Sequence, residues 1–226
     1  MRPIAHIRTD FPEKFGIPRQ SGLVKDLTAR VVMEPEFANP DAFRGLEEFS
    51  HIWLLWLFSE SGENTWSPTV RPPRLGGNVR KGVFASRSPF RPNRIGLSCV
   101  QLKEIRMESG LGLVLIVQGA DLMDGTPILD IKPYHAGADC HPEATAGFTS
   151  ENVDYRVKVI FPEDLLARIP ADKRESLKGV LSEDPRPAFH HDPERVYGMS
   201  FGKHEIHFRV RDKVLTVVSV ENRENR

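Results

Sequence analysis

The residues of this chain best suited to act on a ligand are crowded into one acid-free stretch. From Asn64 to Lys103, forty positions, there is no Asp or Glu, although 31 acids in 226 residues would put about five or six there. Against that absence stand Arg71, Arg74, Arg80, Lys81, Arg87, Arg91, Arg94 and Lys103. A formal net charge of zero therefore conceals a local positive field of the kind that attracts polyanions. Pro and Gly are dense in the same stretch, which predicts ordered loop around two short strands, and such loops carry function more often than packing. Asp121 and Asp124 sit on an Asp-Gly turn and offer acceptors for hydroxyls or an amine. Tyr134 and Asp184 lie in irregular, Pro-flanked segments able to project a polar group into a cleft. His135, Cys140 and His141 are close together, but three groups within seven residues match no zinc spacing, so no metal site is expected.

Positioning these residues calls for β structure. Residues 3–8, 27–33, 97–105, 112–119 and 128–132 have the alternation or β-branched content of strands. Residues 49–58 form a near-continuous apolar run that reads as a strand buried on both faces. Residues 41–48 read as a short helical turn with Asn39 or Asp41 near its start. Six or seven short strands at regular spacing predict an antiparallel barrel or sandwich. No Gly-x-Gly-x-x-Gly follows any strand, which removes support for a dinucleotide-type Rossmann domain. After a polar segment at 135–152 the pattern changes: a strand at 153–160, a helix opening at Pro162, and Leu177, Val180 and Leu181 at helical spacing. An irregular stretch at 182–191 follows, then a hairpin of 204–211 and 214–220. The chain is thus expected to be mainly β, with a β unit over residues 1–140 and a small α+β unit over residues 153–226. Two cysteines, Cys99 and Cys140, give no disulfide framework and suit a reducing compartment. The longest apolar run, residues 52–58, is far short of the ~20 residues a membrane helix needs, and the N-terminus lacks a signal-peptide core. A cytoplasmic location is expected.

Five ordered segments resemble a known family. They are Pro18-Arg19-Gln20-Ser21-Gly22-Leu23; residues 71–78 (Arg-Pro-Pro-Arg-Leu-Gly-Gly-Asn); residues 82–93 (Gly-Val-Phe-Ala-Ser-Arg-Ser-Pro-Phe-Arg-Pro-Asn); Asp121-Leu122-Met123-Asp124-Gly125-Thr126-Pro127 with residues 130–134; and residues 184–189. In these the chain resembles the TsaA-like (TrmO) S-adenosylmethionine-dependent tRNA adenine-N6 methyltransferases over nearly its full length. The resemblance implies a single-sheeted antiparallel β-barrel with a small C-terminal α+β domain, a homodimer, and a cofactor pocket between barrel loops. It also implies N6-methylation of the N6-threonylcarbamoyladenosine that lies 3′ to the anticodon of threonine tRNA.

By position, the resemblance places S-adenosylmethionine contacts on Gln20, Ser21 and Gly22, on Ser59 and Glu60, on Arg87, on Leu97 and Cys99, and on Asp121, Leu122, Met123 and Asp124. Ser21 stands where Pro is common in the family, Ser59-Glu60 where His-Gln is common, and Arg94 where Pro is common. Methyl transfer from a sulfonium is an in-line displacement that needs alignment and no metal. The carbamoylated N6 is urea-like, so its N–H must be lost to an acceptor, and Asp184 or Tyr134 is the expected acceptor. Arg87 suits the methionyl carboxylate. The anticodon stem-loop would meet Arg71, Arg74, Arg80 and Lys81, while Arg91, Arg94 or Arg186 suits the threonyl carboxylate. Phe90 or Phe189 could stack a base. Two other readings stand beside this one: a noncatalytic basic RNA-binding barrel, and methyl transfer to a different target.

Overall fold

Strand β1 (Ala5–Arg8) pairs on both of its edges, and the architecture follows from that. Its partners are β2 (Thr28–Met33) on one side and β8 (Pro127–Pro133) on the other. With β3 (His51–Leu57), β6 (Ile95–Glu108) and β7 (Gly112–Gln118), the antiparallel order runs β1-β2-β7-β6-β3-β8 and returns to β1. A six-stranded sheet whose ends meet has no unpaired edge to protect. In this computed structural model residues 1–60, 66–72, 79–152, 155–187, 190 and 192–223 are described.

Alternation builds the first core. Ile7, Val31, Ile52, Leu54, Val100, Leu115 and Ile128 all turn inward and are buried. The apolar run of β3 differs from its expected form. Ile52, Leu54 and Trp56 are buried, whereas Trp53, Leu55 and Leu57 on the alternate face are only partly covered. The sheet is solvated on its outer side, and the outward Trp53 instead donates its indole N–H to Asp139 Oδ2 at 2.8 Å. An unbroken apolar run therefore marks a strand with a partly covered outer face as readily as one buried on both. The expected turn at 41–48 is two 3₁₀ turns, Pro40–Phe43 and Leu46–Glu48, the first capped by the Asn39 side chain accepting from the Asp41 N–H.

Inside the acid-free stretch lie two short strands, β4 (Thr69–Val70) and β5 (Lys81–Gly82), paired antiparallel. Beyond β8, the segment expected to be loop carries a short helix α1 (Ala136–Asp139) and a 3₁₀ turn, Gly147–Asn152. The chain then forms a second sheet in the order β10-β11-β12-β9: β9 (Lys158–Ile160), β10 (Tyr197–Phe201), β11 (His204–Arg211) and β12 (Val214–Asn222). Among the described residues, only β9 and β12 run parallel. Helices α2 (Glu163–Leu166) and α3 (Arg174–Ser182) accompany it, and α3 buries Leu177, Val180 and Leu181 as their spacing predicts. The second core also holds Phe11, Val24 and Leu27. These come from the segment joining β1 to β2, which is thereby clamped between both sheets.

Candidate functional site

Two chain segments meet at a pair of glycines. The Gly22 N–H donates to Gly119 O at 2.8 Å, and the Gly119 N–H donates to Leu27 O at 2.8 Å. A Cβ on Gly119 would lie 3.3 Å from Gly22 Cα and N, and Gly119 has φ +80°. The close approach and the left-handed backbone both favour glycine there. Asp121 follows two residues later, with its carboxylate at the end of a relay. Trp56 Nε1 donates to Ser98 Oγ at 3.0 Å, and Ser98 Oγ donates to Asp121 Oδ1 at 2.5 Å. The relay depends on Gly96, since a Cβ there would stand 2.2 Å from the Trp56 ring. Arg87 hydrogen-bonds to Gln20 Oε1 from the other side.

Burial pushes the Asp121 carboxyl above its usual range, opposed by the Ser98 hydroxyl, by backbone N–H groups including that of Ser21, and by the Arg87 charge. Arg87 itself holds Gln20. Asp121 therefore has neutral donors close by and a cation only at longer range. An incoming positive charge, amine or hydroxyl would relieve that situation. The glycine pair beside it lets a ligand approach bare backbone. This arrangement fits a cationic, hydroxyl-bearing cofactor such as S-adenosylmethionine.

The other expected cofactor residues have different surroundings. Leu122 is buried in the first core, and its carbonyl accepts from Thr9 Oγ1 at 3.1 Å. Met123 O accepts from Thr126 Oγ1 at 2.7 Å, and Asp124 Oδ1 accepts from the Thr9 N–H at 3.0 Å. These contacts shape the turn that presents Asp121. Ser59 and Glu60 are exposed beyond β3, and Lys14 Nζ donates to Glu60 O at 2.7 Å, which ties them to the β1–β2 segment. Leu97 and Cys99 flank Ser98 in β6 and so face outward while Ser98 is buried. The Cys99 thiol pKa is raised by burial and by the Asp139 charge.

The structure separates the two expected proton acceptors. Tyr134 stands on the outer side, its ring 5.7 Å from that of Trp53. Burial first, then the neighbouring Cys140, Cys99 and Asp139, raise its phenol pKa. Asp184 is 5 % exposed, has φ +53°, and accepts from Arg186 Nε at 2.8 Å, Arg186 Nη2 at 3.0 Å and the Tyr155 hydroxyl at 3.0 Å. Arg186 is thus turned onto Asp184. Arg91 also points inward, donating to Val83 O at 3.0 Å and Ser86 O at 2.5 Å. Arg71 and Arg80 are exposed, with Arg80 Nη1 donating to Thr69 Oγ1 at 2.8 Å. Lys81 lies over the Phe148 ring, and Arg94 is partly buried. Arg74 and Phe189 lie outside the described residues.

Comparison with known proteins matches both parts of this chain. The model of the tRNA-methyltransferase O N-terminal domain matches residues 6–140, and that of the TrmO C-terminal domain matches residues 154–223. The chain belongs to the tRNA-methyltransferase O family. It is 40% identical to the tRNA (adenine(37)-N6)-methyltransferase of Escherichia coli K12 over 97% of both chains. A putative S-adenosylmethionine-dependent methyltransferase of Pseudomonas aeruginosa is 38% identical over 96% of both. A crystal structure of TrmO from the same organism superposes with a TM-score of 0.78 at 33% identity, covering 98% of this chain and 95% of that one.

For a tRNA-methyltransferase O family member, Trp56, Ser98, Gly96 and Gly119 are the residues that sequence reasoning passed over. Trp56 lies within the apolar run at 49–58 and Ser98 within the 97–105 strand, where neither stands out from its neighbours. The signal that could have found them is register. Pairing the apolar run with the 97–105 strand sets Trp56 opposite Gly96, and a Trp facing a Gly across a strand pair marks a ring lying over bare backbone.

Proposed function

We propose that this protein transfers the methyl group of S-adenosylmethionine to N6 of adenosine 37 in tRNA, and that the preferred substrate is threonine tRNA already carrying the threonylcarbamoyl group. The observation that carries this reading is the Asp121 carboxylate, oriented by Ser98 and Trp56 beside the Gly22–Gly119 contact, with Arg87 and Gln20 at its rim. The family relatives bear the matching activity in their names.

The cofactor supplies an electrophilic sulfonium methyl. Asp121 holds hydroxyl or amine donors and favours positive charge nearby, and Arg87 is suited to the methionyl carboxylate. Ser59 and Glu60 are assigned to the edge of the same pocket, Leu122, Met123 and Asp124 to the turn that follows Asp121, and Leu97 and Cys99 to the outward face of β6. Exposed Arg71 and Arg80 and the partly buried Lys81 are assigned to phosphates of the anticodon stem-loop. Of the two proton-acceptor candidates, Tyr134 is held protonated by its surroundings and suits donation. Asp184 is the other candidate, and since both of its oxygens already accept from Arg186 and the Tyr155 hydroxyl, it would have to release one of these bonds to take the proton. A homodimer would cover the outer side of β3 and β6, where Leu55 and Leu97 are paired in register.

The test is transfer of labelled methyl to threonine tRNA with and without the threonylcarbamoyl group, beside calorimetric titration of S-adenosylmethionine. Saturable donor binding and transfer confined to the modified tRNA are expected. Tight RNA binding with no donor binding would overturn the reading in favour of a noncatalytic RNA-binding protein.

A further inference from the structure

The acid-free stretch exposes aromatic rings that the methyl-donor site does not use. Trp66 is 55% exposed, Phe84 73% and Phe90 44%. Backbone hydrogen bonds lay their three chain segments side by side. The Val83 N–H donates to Pro68 O at 3.0 Å, the Ser67 N–H donates to Phe90 O at 3.1 Å, and β4 pairs with β5 between them. Phe84 is the most exposed of the three, yet its mounting is firm. Its neighbour Val83 is buried, and the 3₁₀ turn Val83–Ala85 is closed by Ser86 N–H and Oγ, both on Val83 O, at 3.1 and 2.8 Å. The Arg91 guanidinium, anchored on Val83 O and Ser86 O, lies 5.6 Å from the Phe84 ring centroid. A ring backed by a fixed cation on one side and open on the other is a stacking surface whose ordering is already complete, so little entropy is lost when a flat partner arrives.

The charge around the rings selects the partner. Arg71 and Arg80 are exposed within these same segments, and no acid occurs between positions 64 and 103. The core of a protein–protein interface is depleted of charge. Surfaces for unpaired nucleic acid combine cations along the backbone path with aromatic faces for the bases. We infer that Phe84, assisted by Trp66, is a stacking platform for an unpaired base of the tRNA anticodon loop. The inference rests on the tRNA reading above and adds to it the ring that grips the loop.

Binding of a fluorescently labelled, unmodified anticodon stem-loop of threonine tRNA, followed by anisotropy, tests this without any methyl transfer. Phe84→Ala and Phe84→Leu are expected to weaken binding about tenfold. Phe84→Tyr should stay within about twofold of the parent, because stacking needs a flat ring and not an apolar one. The salt dependence should keep its slope, since no phosphate contact is removed. Thermal unfolding of each variant checks that the fold is kept, and sedimentation reports its oligomeric state. Parent-like binding by Phe84→Leu would overturn the platform, as would failure of the parent protein to bind the stem-loop. A change of oligomeric state accompanying the loss would also overturn it, by making the ring a protein contact. A parent protein that binds the stem-loop through Phe84 but transfers no methyl would sink the methyltransferase reading and leave the platform standing.

Discussion

A carboxyl group drawn out of water beside neutral donors is poorly accommodated until something positive joins it, and Asp121 is in that position. Burial raises its pKa in the folded protein above the unfolded value of about 3.9, so the folded state binds the proton more tightly. Its contribution to stability is therefore intact below about pH 4 and declines as pH rises through the folded pKa. Asp121→Asn should relieve that decline. We expect the variant to be more stable than the parent at neutral pH by roughly 1 kcal/mol, with the difference vanishing in acid, as urea unfolding at several pH values would show. The same variant should bind S-adenosylmethionine about tenfold more weakly by calorimetry, because a neutral amide gives up the attraction to a sulfonium or ammonium. Affinity in the parent should rise with pH over the window where Asp121 ionises. Equal affinity in the two proteins would remove Asp121 from the pocket. Ser98→Ala attacks the same relay from behind. It takes the donor from Asp121 and leaves the buried Trp56 N–H without its acceptor, at a cost of about 1–3 kcal/mol.

At the scale of elements, the site depends on how β3 and β6 are paired. Trp56 and Gly96 are cross-strand partners, and the indole occupies the space a side chain at 96 would fill. Gly96→Ala should push the ring aside, costing about 1–3 kcal/mol by overpacking, and weaken donor binding by breaking the relay to Asp121. Stability measured in urea together with calorimetry would separate the two effects; unchanged donor affinity would show that the relay does not orient Asp121. Much of this level was legible in the sequence. The apolar run at 49–58, the Gly112–Gln118 strand, the helical spacing of Leu177, Val180 and Leu181, and the final hairpin all appear where periodicity puts them. Strand β10 was not legible, because Tyr197, Gly198, Met199, Ser200 and Phe201 follow a Pro-rich stretch and carry no alternation of polarity: Ser200 is as buried as its apolar neighbours. The Ser200 hydroxyl lies 2.6 Å from Glu13 Oε1 and 2.8 Å from Glu205 Oε2, and its one proton can be given to either carboxylate. In the proposed site, Arg87 and Asp121 could be singled out by type and place, and Gln20 only through the family resemblance. The Trp56–Ser98 link could not, since it arises only once a register is fixed and an alternating strand shows nothing of what its inward hydroxyl will meet.

The whole molecule is joined by the segment between β1 and β2, which is hydrogen-bonded to the first sheet and buried in the second core. Phe11, Val24 and Leu27 leave the first sheet to be buried against the second, and between them lie Gln20, Ser21 and Gly22 at the edge of the Asp121 site. Phe11 meets Phe201 edge to face at a 5.7 Å centroid distance. Nearby, the Gly202 N–H donates to Asp10 O at 2.7 Å, and Asp10 is ion-paired with Lys173. The second sheet therefore acts as the anchor for a loop that completes a site on the first. That arrangement predicts a distant effect. Phe11→Ala should destabilise the protein by about 3–5 kcal/mol, as expected for emptying a buried aromatic site. Under conditions where the variant remains folded, it should also bind S-adenosylmethionine several-fold more weakly, because the loop carrying Gln20 to Gly22 loses its footing; the Phe11 carbonyl, which accepts from the Asp124 N–H at 2.8 Å, is kept in the variant, so the effect is that of the ring buried in the second core. Leu177→Ala, which opens the same core from α3 and not from the β1–β2 segment itself, is the comparison: it should lower stability by about 2–5 kcal/mol and leave donor affinity close to the parent's. If the two variants weaken the donor equally, affinity follows general loss of stability. If neither does, the contacts of the segment with the first sheet, Gly22 to Gly119 among them, are enough to hold the loop.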